Sequence, residues 1–183
     1  MIKAQDTIRV DDEIELRRFS HDVDEVKFQS IMNNRDRLLP WLPWAAEYHD
    51  ISDMIKFTES QISEFDHGTI IGYDIFYHGQ FAGAIDLHEV CEQHRYCYMG
   101  YWLDREFTNK GIMTRSAGAL ADYALSELGL HRVTIDAAPE NEASLAVAKR
   151  LNFEYEATLR EEQHLTDDKY HDTVMYTKFS TVQ

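Results

Sequence analysis

The chain has 183 residues, the size of one compact domain, and 44% of them are hydrophobic, enough to build its core. A net charge of −15 argues against general nucleic-acid binding, which draws on clustered Lys and Arg, and favours cationic partners. No apolar run approaches the roughly 18 residues of a membrane span, and residues 1–10 lack a signal-peptide core, so a cytoplasmic protein with no membrane step is expected. In that compartment Cys91 and Cys97 read as free thiols, and nine scattered histidines offer no metal motif. The prolines Pro40, Pro43 and Pro139 mark loops rather than a linker, and no repeat is visible, so residues 1–183 read as a single domain.

In chain order, residues 13–19 alternate Ile14, Leu16 and Arg18 against Glu15, Arg17 and Phe19, which predicts a first strand. Residues 22–34 place Val23, Val26, Phe28, Ile31 and Met32 near helical spacing. Residues 38–44 form a proline-broken aromatic loop whose Trp41 and Trp44 either line a pocket or plug the core. Ser52 can cap a helix reaching Phe65, which His67 and Gly68 end. The period then changes to two. Ile71, Tyr73, Ile75 and Tyr77 share one face, His78-Gly79 makes a turn, and Phe81, Gly83, Ile85 and Leu87 alternate in the return strand. A third strand spans 95–103.

Helical spacing returns with Met113, Ala117, Leu120, Ala121, Ala124 and Leu128, stopped by Gly129. A strand over 132–138, a short helix over 142–151 with Asn152 as a left-handed exit, and strands over 153–162 and 170–179 complete the chain. The order β-α-α-β-β-β-α-β-α-β-β predicts an α+β sandwich around a mixed sheet.

One junction carries chemistry. Thr108-Asn109-Lys110-Gly111-Ile112-Met113-Thr114 leads from the third strand straight into the long helix, where free amides and the helix dipole can hold a diphosphate, with Lys110 and Arg115 adding positive charge. An ordinary strand-to-helix turn has the same outline. Two neighbouring signatures add meaning: Tyr101-Trp102-Leu103-Asp104 before the loop, and Asn141-Glu142-Ala143-Ser144 with Phe153 after it.

Together these motifs resemble the GNAT N-acetyltransferases, in the branch that acetylates ribosomal-protein N-termini, and the likeness covers nearly the whole chain. It implies the GNAT fold, an α/β/α sandwich whose mixed, mostly antiparallel sheet splays at an acetyl-CoA site. It implies cofactor contacts from Trp102, Leu103, Thr108, Asn109, Lys110, Gly111, Ile112, Met113, Thr114, Asn141 and Ser144. The segment around Trp41 and Trp44 resembles the branch's acceptor side, which makes those two the expected substrate-binding residues. Direct transfer through a tetrahedral intermediate needs an acid for the thiolate and a base for the amine. Ser144 is the candidate acid. For the base, related enzymes use a carboxylate near the end of the third strand, where Tyr98, Asp104 and Glu106 stand; Glu106 is preferred.

The chain departs from the family pattern at five positions. Ala148 replaces a common tyrosine, Thr108 a Gln or Arg, Asn109 a glycine, Met113 a small residue, and Asn152 the glycine before Phe153. Three functions therefore stay open at this point: acetylation of a basic protein N-terminus, acetylation of a small amine such as a polyamine, amino acid or antibiotic, and non-catalytic acyl-CoA binding. A broad groove near Trp41, Trp44 and the last hairpin favours a peptide, whereas a closed cavity favours a metabolite. Exposed strands leave pairing into a homo-oligomer open.

Overall fold

The β-branched and aromatic segments assemble into one eight-stranded mixed sheet in the computed structural model, which describes residues 2–181. Its strands are β1 (Thr7–Arg9), β2 (Ile14–Arg18), β3 (Ile71–Tyr77), β4 (Gln80–Cys91), β5 (Tyr96–Leu103), β6 (Arg132–Ala137), β7 (Glu154–His164) and β8 (Tyr170–Phe179). They lie in the order β1-β2-β3-β4-β5-β6-β8-β7. Neighbours are antiparallel except β5 and β6, which run parallel. The helices are α1 (Asp24–Asn33), α2 (Arg35–Leu38), α3 (Ile51–His67), α4 (Ile112–Ser126) and α5 (Glu142–Arg150). Among the described residues, no helix is long and apolar enough to cross a membrane.

Alternate residues of a strand point to opposite faces, and the apolar clusters separate accordingly. Ile75, Ile85, Leu87, Met99 and Val133 lie with Leu120 and Ala124 of α4 and Val147 of α5. Phe76, Ala84 and Trp102 lie with Phe28 and Ile31 of α1 and Met54 of α3. Helices thus cover both faces of the sheet, as the α+β sandwich requires.

Four expectations are corrected. A short edge strand, β1, precedes the expected first strand and pairs with it from Thr7 to Arg9, too short to show a period. The cap of α3 is Asp50 rather than Ser52: the Ser52 amide donates to Asp50 Oδ1 at 2.7 Å, and Asp53 accepts in return from the backbone of Asp50 and His49. In α1, Val26 is 47% exposed while Lys27 is buried, its Nζ 2.7 Å from the buried Asp74 carboxylate and 4.1 Å above the Phe19 ring. An internal ion pair, invisible to a hydropathy pattern, turns the helix.

The fourth concerns β4. A bulge between β3 and β4 pairs Ile75 with Gly83 but Phe76 with Phe81, so Phe81 falls on the α1/α3 face while Ile85 and Leu87 fall on the other. Gly83 is required there, because a Cβ would stand 2.2 Å from the Trp102 carbonyl oxygen. Gly83→Ala is expected to destabilise the fold by about 2 kcal/mol, seen as a lower urea midpoint.

Candidate active site

The parallel pair at the centre of the sheet comes apart. β5 and β6 pair from Tyr96 with Arg132 to Tyr98 with Thr134, and no further. β5 continues to Leu103 along β4, while β6 continues to Ala137 along β8. The opening forms a cleft of about 1190 Å³, bordered by Tyr101, Trp102, Leu103, Ala137, Ala138, Ser144 and the loop before α4.

On the α4/α5 face, the cleft meets the start of α4. Gly111 sits at the N-cap in a left-handed conformation, φ 72°, and gives α4 no side-chain cap. A Cβ there would meet nothing within 4 Å, so the turn faces open space. Ile112 and Met113 bury their side chains in the core, leaving their backbone to meet a ligand. Thr108, Asn109, Gly111, Ile112, Met113 and Thr114 all border the cleft. Lys110 does not; its ammonium lies 5.2 Å from the Phe107 ring and 5.8 Å from that of Tyr77. Arg115 borders the cleft but its Nη1 is held by Asp11 at 2.7 Å and Glu13 at 2.8 Å. Its charge is therefore answered internally, against the expectation that it adds positive charge at the turn.

Across the gap, Asn141 caps α5, its Oδ1 accepting from the Ser144 amide at 3.3 Å. Ser144 Oγ donates to the Tyr101 hydroxyl at 3.1 Å, and that hydroxyl donates to the Ser144 carbonyl at 3.0 Å. Burial pushes the Tyr101 hydroxyl up to about 12, so it stays protonated at neutral pH. Ala148 is fully buried in the core. α5 thus carries no hydroxyl at position 148, and the hydroxyl bonded to Ser144 comes from Tyr101 of β5. Parity along β5 alone gives no hint of it, because the contact depends on where α5 docks.

On the opposite face the candidates divide. Trp41 borders the cleft beside Arg37, Leu38, Pro40 and Leu42. Trp44 does not; its ring packs 6.5 Å from Trp102 and 5.9 Å from Tyr48, in the cluster under α1 and α3. The two tryptophans thus take one each of the roles open to them, wall and plug. Glu106 is exposed in a one-turn helix (Arg105–Phe107) outside the cleft. Asp104 is consumed by structure, accepting from Ser30 Oγ at 2.6 Å, Asn34 Nδ2 at 2.8 Å and the Glu106 amide at 2.9 Å.

Besides Asp136 on β6, the cleft is reached by His88, on β4. Its Nδ1 lies 2.7 Å from Asp86 Oδ1, and its ring stacks on Tyr98 at 6.1 Å. Burial pulls the imidazole down, but the hydrogen bond and charge of Asp86, then the charges of Asp136 and Glu89, outweigh it and leave His88 raised above 6.5. The signal in the sequence is the i, i+2 spacing of Asp86 and His88, which puts both on one face of a strand. Among the described residues, no cluster of His, Cys, Asp and Glu could hold a metal ion.

A sheet split beside a bare helix start, with a capped second helix across the gap, is an arrangement that can hold an anionic cofactor with an extended, amide-bearing arm. The chain belongs to the GNAT acetyltransferase family, whose domain profile matches residues 13–154. YdaF of Bacillus subtilis, named as a candidate ribosomal N-acetyltransferase, is 33% identical over 93% of each chain. The ribosomal-protein-serine acetyltransferase of Escherichia coli is 25% identical over 94% of this chain and 96% of its own. Among solved structures, RimL, a ribosomal L7/L12 alpha-N-protein acetyltransferase bound to coenzyme A, superposes with a TM-score of 0.92 at 28% identity, covering 97% and 99% of the chains. The microcin C7 self-immunity acetyltransferase MccE, bound to acetyl-CoA and AMP, superposes at 0.91 with 26% identity over 96% and 97%. The protein is an acetyl-CoA-dependent N-acetyltransferase with the GNAT fold, which disfavours the non-catalytic reading.

Proposed function

We propose that the protein acetylates the N-terminal amine of a protein, a ribosomal protein foremost, in the cytoplasm. The observation that carries this reading is the extent of the cleft, which runs from the α4 turn on one face of the sheet to the 37–42 segment on the other. Donor and acceptor then approach from opposite faces of the split sheet. The names of the relatives support a ribosomal acceptor, and the acidic surface suits basic ribosomal peptides over nucleic acid. All of 1–183 serves as a single domain, and the exposed edge strand β7 is where copies would pair.

The residues fit coenzyme A. The uncapped amides of Ile112, Met113 and Thr114, with Thr108, Asn109 and Gly111, make the diphosphate cradle. Lys110, exposed nearby, supplies charge at the rim, and Arg150 borders the same cleft. The β5 main chain at Trp102 and Leu103, freed from β6, is open to the pantetheine amides as to an added strand, with Asn141 opposite. Bound there, the cofactor supplies the acetyl group as a thioester.

His88 is the base in this reading, in place of Glu106. Its Nδ1 is occupied by Asp86, which leaves Nε2 to take the proton from the attacking amine. Ser144, bonded to Tyr101, gives a proton to the departing sulfur, and the Tyr101 hydroxyl holds the serine rotamer and can replace the proton. Trp41 walls the acceptor side, and Trp44 supports it from behind through Trp102.

The test is thiol release from acetyl-CoA with peptides beginning in serine or alanine, against spermidine and free amino acids. Peptide-dependent release is expected, with kcat lowered about 10²-fold by Ser144→Ala, which removes the acid, and lowered less by Tyr101→Phe, which removes its support. Turnover with spermidine and none with any peptide would place the acceptor among small amines.

A further inference from the structure

A second, smaller cavity opens beside the cleft. It measures about 250 Å³ and shares His88, Asp136 and Gln163 with the cleft. That volume lies below the range for a whole small ligand and suits one side chain. Its remaining wall comes from Glu89, Tyr98, Glu162, Thr173 and the apolar pair Leu159 and Met175. Three carboxylates and no Lys or Arg line it.

Two backbone irregularities shape this wall. The β4–β5 register shifts between His88 and Cys91, with Glu89 at φ 49°, and the β7–β8 register shifts between Leu159 and Gln163, with Glu161 at φ 53°. Bulges of this kind re-aim side chains beside active sites. Asp136 is raised above its ordinary value, first by burial and then, against the opposing pull of His88, by the charges of Glu162 and Glu89. The acidic groups therefore sense one another. Thr173 gives an independent sign: it is 1% exposed, lines the cavity, and its hydroxyl has no partner among the described residues. No metal-binding cluster is present among those residues, so the carboxylates are spread too widely to clasp an ion.

We infer that this cavity is a specificity subsite that takes the lysine or arginine side chain of the residue following the acetylated one, and so selects acceptors with a basic second position. Leu159 and Met175 would cover the methylenes, the Tyr98 ring would flank the charge, and Glu89, Asp136 and Glu162 would answer it. The location follows from the shared wall: a chain whose amine lies at His88 has its next side chain beside the opening. The inference rests on the proposed peptide acceptor.

The test compares two peptides that differ at the second position, Ser-Lys and Ser-norleucine, in the wild type and in the double variant Glu89→Gln/Glu162→Gln. Both glutamates are exposed, so the fold is spared. Wild type should favour the lysine peptide at least tenfold in kcat/KM; the double variant should reduce this below twofold, both enzymes being assayed on the alkaline plateau, where the charge of Glu89 no longer alters the protonation of His88. Calorimetric binding of each peptide to the enzyme–coenzyme A complex reads the subsite without turnover. Equal binding of the two peptides to wild type, or a preference the double variant retains, overturns the subsite. Lysine-dependent binding that the variant abolishes, without acetylation of either peptide, upholds the subsite and overturns the proposed reaction.

Discussion

His88→Ala is expected to lower kcat/KM for the peptide acceptor by about 10²–10³-fold while leaving acetyl-CoA affinity intact, because a positioned general base contributes about 10²–10⁴-fold. The loss should shrink for amines that are already neutral at assay pH. The pH profile carries the sharper signature. His88 must be unprotonated to accept a proton, and Asp86, Asp136 and Glu89 hold it above 6.5 despite the opposing effect of burial. Activity should therefore fall on the acid side with a midpoint above pH 6.5. Asp86→Asn removes the hydrogen-bonded charge 2.7 Å from Nδ1, so its acid limb should move to lower pH even as the maximal rate drops. An unmoved limb in Asp86→Asn would assign the titration to another group.

Lys27→Ala should damage the fold by about 3–5 kcal/mol above pH 7, because it leaves Asp74, whose carboxyl burial already pushes up to about 7, buried without its counter-charge. For a chain of this size that corresponds to a melting temperature lower by roughly 10 °C. The pair joins α1 to β3, and Ser30 of α1 and Asn34 at its C-terminal cap make the contacts that fix Asp104 just after β5. Loss of stability should therefore come with a disturbed acceptor side. Lys27→Met combined with Asp74→Leu restores an apolar filling, and thermal denaturation should show it closer to wild type than either single change. If Lys27→Ala melts within a degree or two of wild type, the pair has little structural weight.

Much of the fold was legible because its strands and helices follow simple periods. The hairpin of β3 and β4, the α4 stripe and the Asn152 exit at φ 57° all rest on local chemistry. What escaped depends on partners distant in sequence. Lys27 reads as a solvent-facing residue until Asp74 is placed opposite it, and Phe81 changes face because of a bulge set by pairing with β3. The loop into α4 and the cap of α5 stand out in the sequence for a similar reason: they are continuous segments whose motifs survive in one dimension. The proposed acceptor side is assembled from β4, β5, β6, β7 and β8 together with the 37–42 segment. Asp86 and His88 had only their two-residue spacing to mark them, while Asp136 joins them through the order of strands. Glu106 attracted the base role by its place in the sequence, and a one-turn helix directs it away from the cleft.

Amide hydrogen–deuterium exchange with and without coenzyme A tests the central claim most directly. Slowed exchange at residues 109–114 and along 101–103, with 132–134 unchanged, is the predicted outcome, since those first two segments would receive the diphosphate and the pantetheine arm. Binding that protects some other part of the chain and leaves the start of α4 exchanging as before would contradict the account.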